Sequence, residues 1–419
     1  MTALCGAVGI VSFIQAAKMD YDFHHFYLDA AYVWEHGALN PNFDAGEALS
    51  RRQLPFYLPA VPLLLAPLAA AGPLVAAGIW ACGQAGSLAY VLSALRRWAG
   101  GVRAESTVMF AGLLAAPVIY EAARFNQLSL PILAAVVGAG GALDRGRAGR
   151  AGVLFGLAAS VKLLPAIFLP WLALTRRWRA LALALIAAGL INIVPPLLVF
   201  GPRLTAEYHA QWWQRNVLGP PVRGMADSTL REHFVDHRNQ SIPAVLSRVL
   251  VAEHPYRAAW QPITLSEPNA LRLAYAVWAV LLAVALIVTR GAPPRHSAKT
   301  AAGVSSALLR MQVAMLLLAM LVLSPLVRTY YLVFALPALA CVVDAARGRG
   351  WIGARVAGTA GVVIWLAGMA GWLSNGARLY GVHVWMLLLL GAALLGASRG
   401  AREQRNTARS DASAAVATD

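Results

Sequence analysis

The chain has 419 residues, of which 59% are hydrophobic and only 13% charged, and its mean hydropathy is +0.60. A soluble domain carries about 25% charged residues, so this composition leaves too little polar surface to face water, and lipid must be the main solvent. The formal charge of +16 does not point to nucleic acid, because Arg and Lys gather in short connectors between apolar runs.

In chain order, residues 2–17 read as a short first span from an N-terminus on the cytoplasmic side. A long loop, about 18–56, follows outside, with aromatic-rich helical segments lying at the interface. The apolar stretch Leu54–Gly72 carries Pro55, Pro59, Pro62 and Pro67. Full crossing there would put Arg96 and Arg97 outside, so it is expected to be re-entrant or interfacial, with 74–95 making the crossing. Spans at 105–121 and 127–143 are joined outside by Glu121–Gln127. Residues 150–175 lie between two basic clusters, Arg145/Arg147/Arg150 and Arg176/Arg177/Arg179. The segment must therefore enter and return, and each half can reach only about 18 Å. Its reversal point is Lys162-Leu-Leu-Pro165.

A span at 180–200 leads to a second long outer loop, about 201–268. Further spans are expected at 269–289, 304–323, 330–346, 352–373 and 381–398. Runs such as Leu181–Phe200, Leu271–Thr289, Val356–Leu373 and Val382–Ser398 match the length needed to cross about 30 Å of hydrocarbon. Their lack of period-2 alternation favours helices over a barrel. The expected fold is thus all-α and polytopic, with about 12 membrane-embedded helices in one unit, 1–398. A polar, disordered cytoplasmic tail, 399–419, completes it. Cys5, Cys82 and Cys341 lie in apolar runs without metal or disulfide spacing.

An ionisable residue at membrane depth is costly and is a functional hypothesis by default. Asp20, Asp22, His24, His25 and Asp29 stand at the end of the first span, among aromatics. A carboxylate there can take a proton from an acceptor hydroxyl; simple interfacial anchoring is the plainer alternative. Asp20-Tyr-Asp22 also fits the short D-x-D pattern of metal-dependent nucleotide-sugar enzymes, but nothing around it resembles a nucleotide-binding fold. Lys162, at a hairpin tip, either snorkels to an interface or offers a fixed cation to a phosphate. Arg124, Asn126, Gln127, Asn239, Gln240, Arg328, Tyr330 and Tyr331 share the outer side with these residues. His233 and His237 have i,i+4 spacing, yet no third ligand is evident, so no metal is expected.

Several blocks occur in a familiar order: DFHHFYLDAAYVWEHG, LPFYLPAVPLLLAPLA, FNQLSLPILAAVVGAG, AGVLFGLAASVKLLPAIFLPWLAL, NQSIPAVLSR and SPLVRTYYLVFALPALA. In this the chain resembles glycosyltransferase family 87, GT-C-type polyprenol-phosphate-mannose-dependent mannosyltransferases, over roughly residues 18–345. The resemblance implies a GT-C-type helical bundle in the bacterial inner membrane with the active site facing outward, and the charge pattern puts both termini in the cytoplasm. It also implies a polyprenyl-phosphate sugar donor, a glycolipid or glycan acceptor, and no cofactor. Asp22 best matches the family's loop aspartate, the general base, and Asp20 is second. Lys162 and Arg328, then Arg124, would support the leaving phosphate. Many relatives carry an aromatic and paired histidines after the Ser-Pro motif, whereas here Ser324-Pro325 leads to Arg328, Tyr330 and Tyr331, which leaves the donor sugar open. A transporter or flippase for a lipid-linked sugar is the main alternative. It would more often show internal repeats and broken helices in matching halves, and no convincing repeat is present.

Overall fold

The computed structural model describes residues 1–39, 57–100, 103–214, 236–290, 299–348 and 352–398. Among these, every regular element is a helix. The expected outer loops lie partly outside the described residues, at 40–56 and 215–235, and the tail 399–419 wholly so.

The first half contains α1 (Thr2–Ala17), α2 (Tyr21–His36), α3 (Ala60–Ala70), α4 (Pro73–Ala99), α5 (Ala104–Leu114), α6 (Ala116–Arg124), α7 (Ser129–Asp144) and α8 (Ala148–Val161). A 3-10 turn, Leu164–Ile167, and α9 (Phe168–Leu174) lead to α10 (Trp178–Trp213). The second half holds α11 (Ile242–Leu250), α12 (Glu267–Thr289), α13 (Lys299–Val322), the 3-10 segment Thr329–Ala335, α14 (Leu336–Arg347), α15 (Ile352–Gly371), α16 (Asn375–Leu379) and α17 (Val382–Ser398).

Five helical segments are long and apolar enough to cross a membrane, or up to seven if the bent pairs α1–α2 (58°) and α5–α6 (60°) each count as one span. Only 17% of the most apolar stretch of α10, and of α12, is buried in the protein. Their outward faces carry residues such as Leu190, Leu198 and Val280. Apolar surface on that scale needs lipid to cover it. The proline-rich α3 has 11 residues, about 16 Å of rise, too short to cross, as the sequence suggests.

Lys162 marks a true reversal. A Cβ added at Gly152 would meet Ala180 O at 2.3 Å, and one at Gly156 would meet Ala184 O at 2.4 Å. The contacts advance in step, so α8 and α10 run in the same direction, backbone against backbone, as small residues permit in membranes. Two parallel neighbours require a return between them. The four-residue 3-10 turn and seven-residue α9 supply it. The stop of α8 has a local cause. Pro165 has no N–H for Val161 O, and its ring would clash with that carbonyl. Val161 is the last residue of α8, and Lys162 is extended (φ −145°, ψ 136°).

Helix ends inside an apolar layer leave carbonyls without partners. Indoles close three of them, those of Trp365 and Trp171 fully buried and that of Trp278 partly so. Trp365 Nε1 donates to Leu114 O at the α5–α6 bend (2.8 Å), Trp278 Nε1 to Val322 O at the end of α13 (3.0 Å), and Trp171 Nε1 to Thr289 O at the end of α12 (3.1 Å).

Candidate active site

Two corners of the chain meet at Asp22. The first joins α1 to α2, where Asp20 is the extended N-cap residue and Asp22 lies in the first turn of α2. The second joins α6 to α7 through Phe125, Asn126 and Gln127. The Asp22 N–H points at Phe125 O (3.4 Å), the Tyr21 and Phe125 rings lie 4.6 Å apart, and Arg124 Nη2 donates to the Tyr21 hydroxyl at 3.0 Å. Asn126 is fully buried: Ser12 Oγ donates to its Oδ1, and its Nδ2 donates to Ser12 O at 3.2 Å.

Around Asp22 stand groups from distant segments. Its carboxyl is within electrostatic reach of Lys162, Tyr57, Tyr330 and Tyr331. The Lys162 ammonium rests 3.6 Å from the centre of the Tyr331 ring and 5.9 Å from that of Tyr57. A desolvated ammonium needs such compensation, and an aromatic face supplies part of it. Gln127 ties the tyrosines together. Its Oε1 accepts from the Tyr57 hydroxyl at 3.3 Å, and its side chain is hydrogen-bonded to Tyr330, which also bonds Tyr331. Gln84 Nε2 holds the Gln127 backbone through its carbonyl (2.8 Å). The cluster therefore sets one carboxylate and one ammonium among three phenols, a group able to accept a proton and to support an anion.

A second polar group surrounds Asp236. Arg328 Nη1 donates to Asp236 Oδ2 at 2.9 Å, His237 Nδ1 lies 3.1 Å from Oδ1, and the Arg238 N–H donates to the same oxygen at 2.9 Å. Burial pushes the Asp236 carboxyl up. The Arg238 N–H and the Arg328 guanidinium outweigh it, so the group stays below the usual carboxylate value. The guanidinium of Arg248 is sealed against the backbone carbonyls of Asp236, Arg378 and Leu379, and burial brings it down to about 10.

Asn239 and Gln240 fasten this group to the Ser324–Val327 segment and to the C-terminal helices. Asn239 Oδ1 accepts from Ser241 N and Val327 N (3.1 and 3.0 Å), while its Nδ2 donates to Pro325 O. Gln240 Nε2 donates to His237 O and Arg378 O, and its Oε1 accepts from His383 N.

Of the residues singled out in the sequence, Asp22, Lys162, Gln127, Tyr330 and Tyr331 come together. Arg124 borders the cluster, half exposed, and Asn126 lies behind it. Asp20 stands at the N-cap position of α2 without a side-chain capping bond, whereas Arg328, Asn239 and Gln240 belong to the Asp236 group. The structure adds Tyr57, Ser12, Gln84, Asp236 and Arg248. The one available signal was a tyrosine between prolines in Leu54–Gly72. Among the described residues no group of three His, Cys, Asp or Glu side chains is placed to hold a metal.

The model of glycosyltransferase family 87 matches residues 56–325. That range includes Tyr57, Arg124, Gln127 and Lys162 but stops short of the Asp22 corner and of Tyr330 and Tyr331. No curated protein and no solved structure matches the chain. With the family model covering well over half of its length, the chain belongs to glycosyltransferase family 87 and is a membrane glycosyltransferase.

Proposed function

We propose that the protein moves a hexosyl unit, mannosyl by family habit, from a polyprenyl-phosphate carrier to a hydroxyl of a lipid- or glycan-linked acceptor at the extracytoplasmic face. The observation that carries this reading is the meeting of Asp22 and Lys162, 140 positions apart in the chain, in one cluster with Tyr57, Tyr330 and Tyr331. Asp22 takes the proton of the acceptor hydroxyl. The acceptor oxygen bonds to C1 of the sugar as the bond from C1 to the phosphate oxygen breaks. The polyprenyl phosphate leaves with that electron pair and the configuration inverts. Negative charge grows on the departing phosphate, and Lys162 stands ready to meet it, with the phenols as hydrogen-bond donors.

The test uses membranes containing the chain and labelled polyprenyl-phosphate-mannose, with label followed into glycolipid. Asp22→Asn, normally expressed, should lower transfer by about 10²–10⁴-fold, and Lys162→Met by about 10²–10³-fold. Transfer surviving both substitutions would overturn the site. Wild-type protein that passes no label would overturn mannose as the donor sugar.

A further inference from the structure

Among the described residues only four other than glycine have positive φ, and three lie at the two corners beside Asp22: Met19 (54°), Tyr21 (55°) and Asn126 (53°). A left-handed backbone at an aromatic or a methionine is strained and persists only when its surroundings hold it. The connection that holds these corners is buried. Ser12, in the middle of α1, exchanges two hydrogen bonds with Asn126, one through its hydroxyl and one through its carbonyl. From Asn126 the chain passes directly to Phe125, whose carbonyl receives the Asp22 N–H and whose ring packs on Tyr21 and, at 5.0 Å, on Tyr330. On the other side it passes to Gln127, the partner of Tyr57 and Tyr330.

We infer that Ser12 and Asn126 form a latch that sets the position of Asp22: two positioning residues that need touch neither donor nor acceptor and act through the Phe125 carbonyl. The inference rests on the transferase reading above for its kinetic consequence, but not for its structural one. Asn126, a candidate substrate ligand in the sequence, has its side chain occupied within the protein, and this accounts for its burial. The same latch explains why a serine sits fully buried in a largely apolar span: its hydroxyl holds the carboxamide of a residue 114 positions away.

The experiment compares wild type with Ser12→Ala, Ser12→Thr and Asn126→Gly, all as full-length protein in lipid nanodiscs. Glycine accepts the left-handed backbone at 126 but lacks the carboxamide. Hydrogen exchange read at residues 20–24 needs neither donor nor acceptor. The Asp22 amide should lose protection in Ser12→Ala and Asn126→Gly and keep it in Ser12→Thr. In the labelled polyprenyl-phosphate-mannose assay the first two should lose about 10–100-fold in kcat, with the donor KM within about threefold, and Thr should restore it.

Unchanged exchange at Asp22, or a kcat within twofold of wild type in both latch-less variants, would overturn the latch. A merely structural role would lower the unfolding midpoint without separating kcat from KM, and would overturn it too. Altered exchange with no transfer even by wild type would count against the mannosyl donor and leave the positioning of Asp22 standing.

Discussion

Substituting Gly156 by alanine isolates the contact between α8 and α10 that places Lys162. Two effects oppose each other. Alanine is a better helix former than glycine by about 1 kcal/mol, so in open space the change stabilises. At Gly156, however, the new Cβ would stand 2.4 Å from Ala184 O and 2.9 Å from Ala187 Cβ. The first distance is about 1 Å inside ordinary van der Waals contact. The obstacle is a backbone carbonyl, which cannot rotate away as a side chain would. Overpacking of this kind costs about 1–3 kcal/mol, so the net effect should be a loss of up to about 2 kcal/mol. Gly189, on α10, provides the control: nothing lies within 4 Å of its Cβ position, and Gly189→Ala should leave stability unchanged or raise it by up to about 1 kcal/mol. Lys162 follows Gly156 by six residues, so parting the helices should also move the ammonium. A displacement near 1 Å costs on the order of 10²-fold in rate. Thermal unfolding in detergent and the transfer assay, run on the same preparations, read both consequences. An unfolding midpoint for Gly156→Ala at or above that of wild type would refute the packing argument. A lowered midpoint with full transfer would refute the link to Lys162.

Asp236→Asn tests the second polar group. The depressed carboxyl contributes stability that is fully present above the ordinary carboxylate value, about 3.9, and is lost as pH falls through its lower folded value. Unfolding midpoints of wild type and variant should therefore differ most at neutral pH and converge in acid; a constant gap across that range would contradict this. Asn239→Ala removes the acceptor shared by Ser241 N and Val327 N. Each backbone N–H left unpaired costs about 1–3 kcal/mol, so a clear drop in the unfolding midpoint is expected, and an unchanged one would mean that other groups take over.

Much of the framework is legible in the sequence because its causes are local. Proline at 165 dictates where α8 stops, the basic clusters on either side of 150–175 demand a return, and Arg96 and Arg97 argue against a crossing by the proline-rich stretch before them. The aspartate and the lysine stood out because charge in an apolar chain is conspicuous. Ser12, Tyr57 and Gln84 carry no such mark. Each is a small or amphipathic residue compatible with a span, and its partner lies 114, 70 or 43 positions away, beyond the reach of any periodicity. The Asp236 group was hidden differently. Arg248 lies in a long outer loop, where nothing in the sequence sets it apart until folding turns it inward onto three carbonyls.

The indoles that close the ends of α5 and α13 bear on the fate of the sugar. An activated C1 reacts with any hydroxyl that reaches it, and water is the most abundant competitor. A bundle that relied on solvent to satisfy those carbonyls would carry a potential hydrolytic nucleophile along its own helix ends. Both ends, Leu114 O and Val322 O, lead within about a dozen residues to Phe125 and to Tyr330. Tryptophan supplies the missing N–H together with an apolar body. Phenylalanine at 278 or 365 would keep most of the volume but invite water to the bare carbonyl, and the mark of that change would be donor wasted as free sugar.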